Sequence, residues 1–446
     1  MQSLLLERVI GNVSPWEFAT TLTESLYQNL NQTCGEQVFP ANCHHNAAVN
    51  GLSLETNDYQ YLLSGCADSS IKLWDLNDEK QVNSESDRYI TSKVASIDDY
   101  DHPRTVFNNV ATIERKSVHS FGVSCIQWWP FDTGMFVSAS FDHTVIIWNT
   151  NELTPVYKFD VESRVYSIDT NGNEYNGNSL VAVGSDHPNI RLLDLRSASS
   201  AHTLDGHKGK TLVVKWHPQN PYLLASGGFD GEVKIWDIRR SKSCLCRLDM
   251  MRTNNQPHDD NLTKPSVKAH LGPVNGLVWN ELGTILYSAG NDDKVRVWDM
   301  ISSNCPPMNK LINFGPLTRN KYPQSIPIVL SSNYETEIQY LLFPSDNSDI
   351  YVFRTIDGKL ISRLSRNGSK KIGRTASMIY SKPFSATYFC GTMDGEIISW
   401  SPKYEKENID DYLILDSQIT NLNEDKQQTL QDTRLKLLSN PFFNQK

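Results

Sequence analysis

Along most of the chain, short apolar or alternating runs suited to strands are separated by polar turns, and the turns carry a recurring signature. A histidine opens each unit and an alternating strand follows. Small residues then lead to an aspartate, and a tryptophan stands six residues beyond it. Four copies are complete: His45, Ser64, Asp68, Trp74; His119, Ser138, Asp142, Trp148; His207, Ser226, Asp230, Trp236; and His270, Ser288, Asp292, Trp298. The His-to-Asp separation is 23 residues in three copies and 22 in the fourth, a constancy that chance does not supply. Three degenerate copies are placed by the position the tryptophan would hold, at Leu193-Asp194, Phe353 and Trp400. Seven units result.

This pattern resembles the WD repeat, and the resemblance implies an all-β, seven-bladed WD-repeat β-propeller over residues 31–403. Each tryptophan would fill space between blades while its indole N–H requires an acceptor. Serine, histidine and aspartate supply a hydrogen-bonded chain for it. In such repeats the histidine precedes the first strand and the aspartate sits between the second and third. Bonding them places both loops on one rim, called the top here. The four tetrads are therefore expected to be structural. Separations between successive tryptophan positions run from 43 to 74 residues, against roughly 40 to 45 for the repeat class. The excess falls in residues 78–117, 249–267 and 302–323, which read as partly disordered surface loops. Residues 36–40 are the candidate strand that completes the last blade and removes its free edge.

The first thirty residues do not fit the repeat and read as a helical pair. Gly11 can end a first helix in a left-handed conformation. Ser14 supplies an N-cap, Pro15 the first turn and Glu17 the partner in a capping box, with Val13 and Phe18 as a hydrophobic staple. Phe18, Leu22 and Leu26 follow at helical spacing. Such a pair can pack on its own propeller or enter a partner's groove. Residues 404–446 form a polar tail with a hydrophobic tip, Leu438-Ser439-Asn440-Pro441-Phe442-Phe443, that docks or stays disordered.

Composition changes this picture little. The 446 residues are 39% hydrophobic and 21% charged, and no apolar stretch is long enough to suggest a membrane span or signal peptide. Eight scattered cysteines fit a reducing compartment. A net charge of -9 argues against an overall nucleic-acid footprint and for protein partners.

Apparent catalytic motifs dissolve on inspection. Gly206 to Thr211 lacks phosphate-loop spacing and already serves as the start of a blade. Cys43-His44-His45, Cys244-Leu245-Cys246 and His258-Asp259-Asp260 lack paired ligand spacing. The expectation is a non-enzyme with no metal and no cofactor.

A closer resemblance rests on Gln127-Trp128-Trp129-Pro130-Phe131-Asp132-Thr133-Gly134-Met135-Phe136 and the following Ser138-Ala139-Ser140-Phe141-Asp142. These are similar to the QWYPHDTGMF and SSSFD segments of the Cockayne syndrome group A family. Val181 to Gly184, Val233 to Arg240 and Val274 to Leu277 match in order, as do Leu5, Arg8, Gly11 and Pro15. Asn440, Pro441 and Phe443 resemble the family's terminal NPAF. The 78–117 insertion, the 249–267 loop and the tail depart from it.

The resemblance implies a nuclear substrate receptor of a cullin-RING ubiquitin ligase in transcription-coupled nucleotide-excision repair. Its partners would be the ligase's adaptor propeller, a Swi2/Snf2-type repair ATPase and the RNA polymerase II complex, without sequence-specific nucleic-acid binding. Adaptor contacts would come from residues 1–30, through Leu5, Leu6, Arg8, Val9, Ile10, Phe18, Leu22 and Leu26. Asp237 and Arg239 of a WDxR motif would join them on the bottom rim, unless Arg239 only pairs with Asp237. Phe141 and Phe229, each just before a tetrad aspartate, either cover their own tetrads or meet a partner on the top rim. The alternative function is a non-ligase WD-repeat scaffold in chromatin or RNA-processing complexes.

Overall fold

The computed structural model describes residues 8, 10–30, 37–38, 45–81, 105–115, 117–171, 180–240, 244–253, 267–301, 307–332, 338–365, 373–381 and 386–402. Residues Met1–Pro402 make one compact unit; Lys403–Lys446, with the hydrophobic tip, lie outside the described residues.

Seven antiparallel blades of four strands stand around a central channel. Blade 4 shows the plan: Thr211–Trp216, Leu223–Gly228, Val233–Asp237 and Cys244–Arg247 pair in sequence order. The inner three strands are largely buried because both faces of a blade are covered by its neighbours, whereas outer strands such as Thr154–Asp160 and Ser199–Leu204 are mostly exposed. Trp74, Trp148, Trp236, Trp298 and Trp400 are among the largest side chains fully removed from solvent. The first strand of each blade lines the channel, a cavity of about 530 Å³.

The ring closes through Gln37–Val38, which lies within the segment expected to do so. Val38 pairs antiparallel with Ile398 of blade 7, and the same two residues pair in parallel with Thr105 and Val106 of blade 1. Blades 7 and 1 thus form one eight-stranded sheet. Each edge covers the other, which removes two pairing templates at once.

Three expectations are corrected here. The insertion at 78–117 is not simply a loop: the third strand of blade 1 extends over Ile71–Gln81, and Thr105–Ile113 is its fourth strand. Phe107 in that strand is buried edge-on against Phe389 of blade 7. A blade needs a fourth strand, and in blade 1 only this segment can provide it. Within 302–323, likewise, Met308–Asn309 pairs as the last strand of blade 5. Finally, the described residues hold a single N-terminal helix, Pro15–Asn29, rather than a pair. Arg8 and Ile10 have helical backbone, but residues 1–7 and 9 lie outside the described residues, and no first helix is delimited.

The helix begins as its sequence requires. Ser14 Oγ accepts from the Glu17 N–H at 3.1 Å, and Glu17 accepts from the Ser14 N–H at 3.1 Å. Gly11, at φ +89°, turns the chain just before it, donating its N–H to the Arg8 carbonyl.

Candidate functional site

Three blades hold complete hydrogen-bonded tetrads, and a fourth carries the same chain with one serine inserted. In blade 4, Trp236 Nε1 donates to Ser226 Oγ at 2.7 Å, which lies 2.7 Å from His207 Nε2. His207 Nδ1 stands 3.1 Å from an Asp230 oxygen. The indole can only donate, so the serine hydroxyl donates onward to Nε2 and the histidine carries its proton on Nδ1, facing the carboxylate. Blade 2 repeats this geometry at 2.8, 2.7 and 3.0 Å through Trp148, Ser138, His119 and Asp142. Blade 5 does so through Trp298, Ser288, His270 and Asp292, with Arg296 also bonded to Asp292 at 2.8 Å. Blade 1 differs: Ser64 bridges Trp74 and His45, but Ser70 stands between His45 and Asp68.

Burial pushes the Asp230 carboxyl upward, yet the bonds from His207 and from the Lys208 and Glu232 amides outweigh it and bring it down to about 2. Asp142 and Asp292 are lowered by the same balance. Burial lowers the basicity of His270 against the pull of Asp292. Carboxylates held this firmly in one protonation state serve packing, and in blades 2, 4 and 5 each tetrad side chain is bonded to the next.

Degenerate blades 3 and 6 do not carry broken tetrads, whereas blade 7 keeps part of one. Aligning blade 3 on blade 4 by strand register puts Val161, Val183 and Leu193 where His207, Ser226 and Trp236 stand, and all three are buried in one apolar cluster. Blade 6 places Phe343 and Phe353 at the serine and tryptophan positions, against Phe314. Blade 7 keeps Asp394 and Trp400, with Cys390 in place of the serine. Removing one member of a buried network strands the others, whereas exchanging the whole set for apolar side chains does not.

On the top rim, the residue just before each tetrad aspartate, or its equivalent, is pinned by its own N–H to the loop leading into that blade. The bonds are Ala67 to Ala48, Phe141 to Gly122, Asp186 to Arg164, Phe229 to Lys210, Asn291 to Pro273, Asp346 to Arg319 and Met393 to Arg374, at 2.8 to 3.1 Å. The two degenerate blades 3 and 6 place carboxylates in this ring, and each pairs with the next blade: Asp186 with Lys210 at 2.6 Å and Asp346 with Arg374 at 2.8 Å. Phe141 and Phe229 occupy the same ring. Phe141 is half-buried, its ring edge-on to Tyr166 at 6.0 Å, while Phe229 is 49% exposed. Neither aromatic is bonded into a tetrad.

At the opposite end, each second strand starts beside the end of its third: Leu223 against Asp237, Tyr340 against Arg354, Tyr388 against Trp400. Arg239 emerges there from blade 4. It holds buried Asp237 through Nε at 3.0 Å and Nη2 at 2.8 Å and lies over the Tyr222 ring at 4.4 Å. Much of its side chain remains in solvent.

The N-terminal helix is seated on the same end, under blades 6 and 7. Tyr27 is fully buried, stacked on Tyr340 at 4.3 Å, and its hydroxyl lies 2.9 Å from that of Tyr388. Thr23 meets the Tyr340 hydroxyl at 3.1 Å, Glu24 pairs with Arg354, and Leu30 is buried in the same cluster. The buried stripe is therefore 23, 27 and 30, about 100° round from the 18, 22, 26 stripe that hydrophobicity suggested. Phe18 and Leu22 are half-buried, and Leu26 packs on the propeller's own cluster. Arg8 is half-buried with its guanidinium on the Val13 carbonyl, and Ile10 is 69% exposed. Leu5, Leu6 and Val9 lie outside the described residues. The structure brings the helix and Arg239 to one end but separates them by blade 5.

One group of metal-ligating types exists among the described residues, His45, Cys66 and Asp68. Both His45 nitrogens are engaged by Ser64 and Ser70, and burial pushes the Cys66 thiol up to about 12. A neutral thiol beside an occupied imidazole is a poor ligand set. In the channel, Lys215 pairs with Asp169 at 2.8 Å, and Asp169 also accepts the Trp216 N–H at 2.7 Å, which fastens blade 3 to blade 4.

Compared with known proteins, residues 36–75, 110–149, 198–237 and 263–299 match the model of the WD domain, G-beta repeat. These matches end on Asp75, Asn149, Asp237 and Asp299, each the residue after the tetrad tryptophan in the third strand of its blade. The chain is a WD-repeat protein. Its fold belongs to a family of scaffolds rather than catalysts. This WD-repeat protein is 27% identical over 339 residues to the WD repeat-containing protein ATCSA-1 of Arabidopsis thaliana, covering 62% of the chain and 71% of that relative. It is 29% identical over 267 residues to Radiation-sensitive protein 28 of Saccharomyces cerevisiae, covering 56% of the chain and 52% of the relative. A Ribosome biogenesis protein WDR12 homolog of Oryza sativa subsp. japonica is 27% identical over 199 residues, covering 44% and 43%. The chain thus spans about half the length, or less, of the last two relatives.

Sequence reasoning passed over Trp16, 53% exposed in the first turn of the helix, and the tyrosines that seat it. The signal for Tyr27 was present in the Thr23, Tyr27, Leu30 spacing. Its partners Tyr340 and Tyr388 are more than 300 residues away, and no local pattern links them.

Proposed function

We propose that this WD-repeat protein is a nuclear substrate receptor of a cullin-RING ubiquitin ligase acting in transcription-coupled nucleotide-excision repair. The ligase's adaptor propeller binds the exposed N-terminal end of the helix and the bottom rim. Repair partners, a Swi2/Snf2-type ATPase and the RNA polymerase II complex, bind the top. The observation that carries this reading is the helix itself. A generic scaffold has no need of a helix locked to the bottom of blades 6 and 7 by Tyr27 while Ile10 and Trp16 face solvent. The likeness to ATCSA-1 supports the repair assignment.

Deleting residues 1–30 would remove buried Tyr27 and Leu30 and so confuse docking with folding. An Ile10→Asp, Trp16→Asp double variant changes exposed positions alone. It loses at least tenfold in affinity for purified adaptor while its circular dichroism stays unchanged; full affinity in the folded variant sinks this docking mode. Burial of one such side chain contributes about 1.5 to 3 kcal/mol, enough for that loss. The relatives named for ribosome biogenesis favour a second reading, a scaffold in RNA processing without a ligase. Affinity purification with mass spectrometry separates the two: a cullin adaptor among the recovered proteins supports the first, and pre-ribosomal proteins without one support the second.

A further inference from the structure

The top rim carries an arc of exposed apolar side chains from blade 2 to blade 6, interrupted at blade 3 by the bridge between Asp186 and Lys210. Phe121 is 65% exposed, Phe229 49%, Leu271 68% and Tyr322 55%, all on loops or turns at the tetrad end of their blades. They are linked by contacts that cross the blade boundaries. Phe141 donates its N–H to the loop of Phe121 and meets Tyr166; Lys210 lies over Tyr166 at 5.7 Å, and its carbonyl accepts from Phe229. Gly231, in the turn after Phe229 at φ +79°, packs so closely on His270 that an added Cβ would stand 2.6 Å from its carbonyl oxygen, which brings the Leu271 loop alongside. Asn291 then bonds to the carbonyl of Lys321, next to Tyr322, at 3.1 Å.

Charge on this arc runs opposite to that of the whole chain, which is -9. Arg164, Lys208, Lys210, Lys268, Arg319 and Lys321 are exposed in the loops that lead into blades 3 to 6. The carboxylates nearby are mostly spent: Asp142, Asp230 and Asp292 face tetrad histidines, and Asp186 and Asp346 are paired across blades. Asp160, Glu162 and Asp205 are the exposed acids in the loops into blades 3 and 4, and Glu162 is paired with Arg191. An arc of exposed aromatic and aliphatic side chains bordered by cations is complementary to a chain that alternates apolar and acidic residues. Aromatic side chains are preferred interface anchors, and opposed charge sets orientation and encounter rate.

We propose that the arc from Phe121 to Tyr322 binds an extended acidic peptide segment of a partner protein, with its apolar residues on Phe141, Phe229 and Leu271 and its carboxylates toward Lys208 and Lys268. The inference rests on the reading that the top face holds the repair partner and adds the chemistry of what it recognises.

Random twelve-residue peptides displayed on phage are selected on the immobilised full-length chain, with a Phe141→Ser, Phe229→Ser double variant used for counter-selection. Retained peptides carry an excess of Asp and Glu over Lys and Arg together with at least two apolar residues. The strongest of them, made synthetically with a fluorescent label, loses at least tenfold in affinity to that variant and to a Lys208→Glu, Lys268→Glu variant. Basic or uncharged peptides, or none that distinguish the variants, overturn the proposal. So does a labelled twenty-nucleotide oligo(dT) that binds in the micromolar range and is sensitive to the lysine changes alone. Capture of the Swi2/Snf2-type ATPase is measured beside it. If the phenylalanine changes abolish capture while the selected peptides are not acidic, the top-face reading survives and the acidic chemistry falls. If capture is undiminished, both fall.

Discussion

Blades 3 and 4 stand side by side and solve one packing problem in opposite ways. Blade 4 fills its interior with a chain of four polar groups ending on Asp230, whereas blade 3 puts Val161, Val183 and Leu193 in the same places. Both are sound because each is complete. A polar chain with all partners made costs little, and an apolar set of similar shape costs nothing in unmade bonds. Completeness, rather than the tetrad as such, is what these two blades share; blade 7, with Trp400 but no serine, is the intermediate case. The difference also reaches the surface. Without a tetrad to tie its loops, blade 3 spends its top-rim position on Asp186 and the bridge to Lys210, while blade 4 leaves the same position to exposed Phe229.

The sharpest way to break this comparison is to mix the two solutions. Val161→His places an imidazole without its serine or aspartate in blade 3 and overfills the site, so it destabilises by roughly 2 to 5 kcal/mol. Urea denaturation with hydrogen exchange resolved by blade measures it, and a loss below that range means that blade 3 is looser than its burial implies. His207→Ala in blade 4 costs about 1 to 3 kcal/mol because it strands Asp230 and Ser226. If copying the blade 3 set into blade 4 through His207→Val, Ser226→Val and Trp236→Leu costs as much as the three single changes summed, the view that the tetrad is exchanged as a unit is wrong.

Acid separates the blades next. Asp230, lowered to about 2 in the fold, contributes stability that is present above the ordinary aspartate range near 3.8 and is lost as pH falls from there through about 2. His270, lowered by burial, acts earlier: its neutral form is favoured in the fold, so stability declines as pH drops below its ordinary 6.5. Hydrogen exchange at stepwise lower pH should therefore open blade 5 first and blade 4 later, with the interior of blade 3 unaffected by either group. Smallest of all is Asp186→Ala. Its bridge to Lys210 is half in solvent, so the loss is about 0 to 1 kcal/mol and fades in high salt.

The same contrast explains what the sequence disclosed. Polar tetrads leave fixed letters at fixed spacing, so blades 1, 2, 4 and 5 could be aligned from His, Ser, Asp and Trp alone. Val161, Val183 and Leu193 are interchangeable with other aliphatic residues and leave no letters, which is why blade 3 was located only by the Leu193-Asp194 pair. The hydrogen-bonded chain of each tetrad was foreseeable because four residue types with complementary donors and acceptors recur together. The ring of pinned residues was half visible, since Phe141 and Phe229 were noticed as neighbours of the aspartates. The pairing of Asp186 with Lys210 was not, because it joins two blades. The outer strand of blade 1 hid inside a long polar insertion, where Phe107 is the buried residue that reveals it. The N-terminal helix announced its first turn through Ser14, Pro15 and Glu17, but the face it would bury depended on two tyrosines from the far end of the chain.

That dependence on the far end has a consequence for how the protein is made. Gln37–Val38 and Tyr27 find their partners on strands that include Tyr388 and Ile398, about 360 residues later. At roughly 5 to 20 residues per second of synthesis, the opening segment waits on the order of 20 to 70 seconds for its site to exist. For that interval a helix with an apolar stripe and a strand with its blade 7 edge open are exposed beside six finished or half-finished sheets. The order of synthesis thus makes the first part of the chain the last to be secured, and errors in making this protein should collect at the seam between blades 7 and 1.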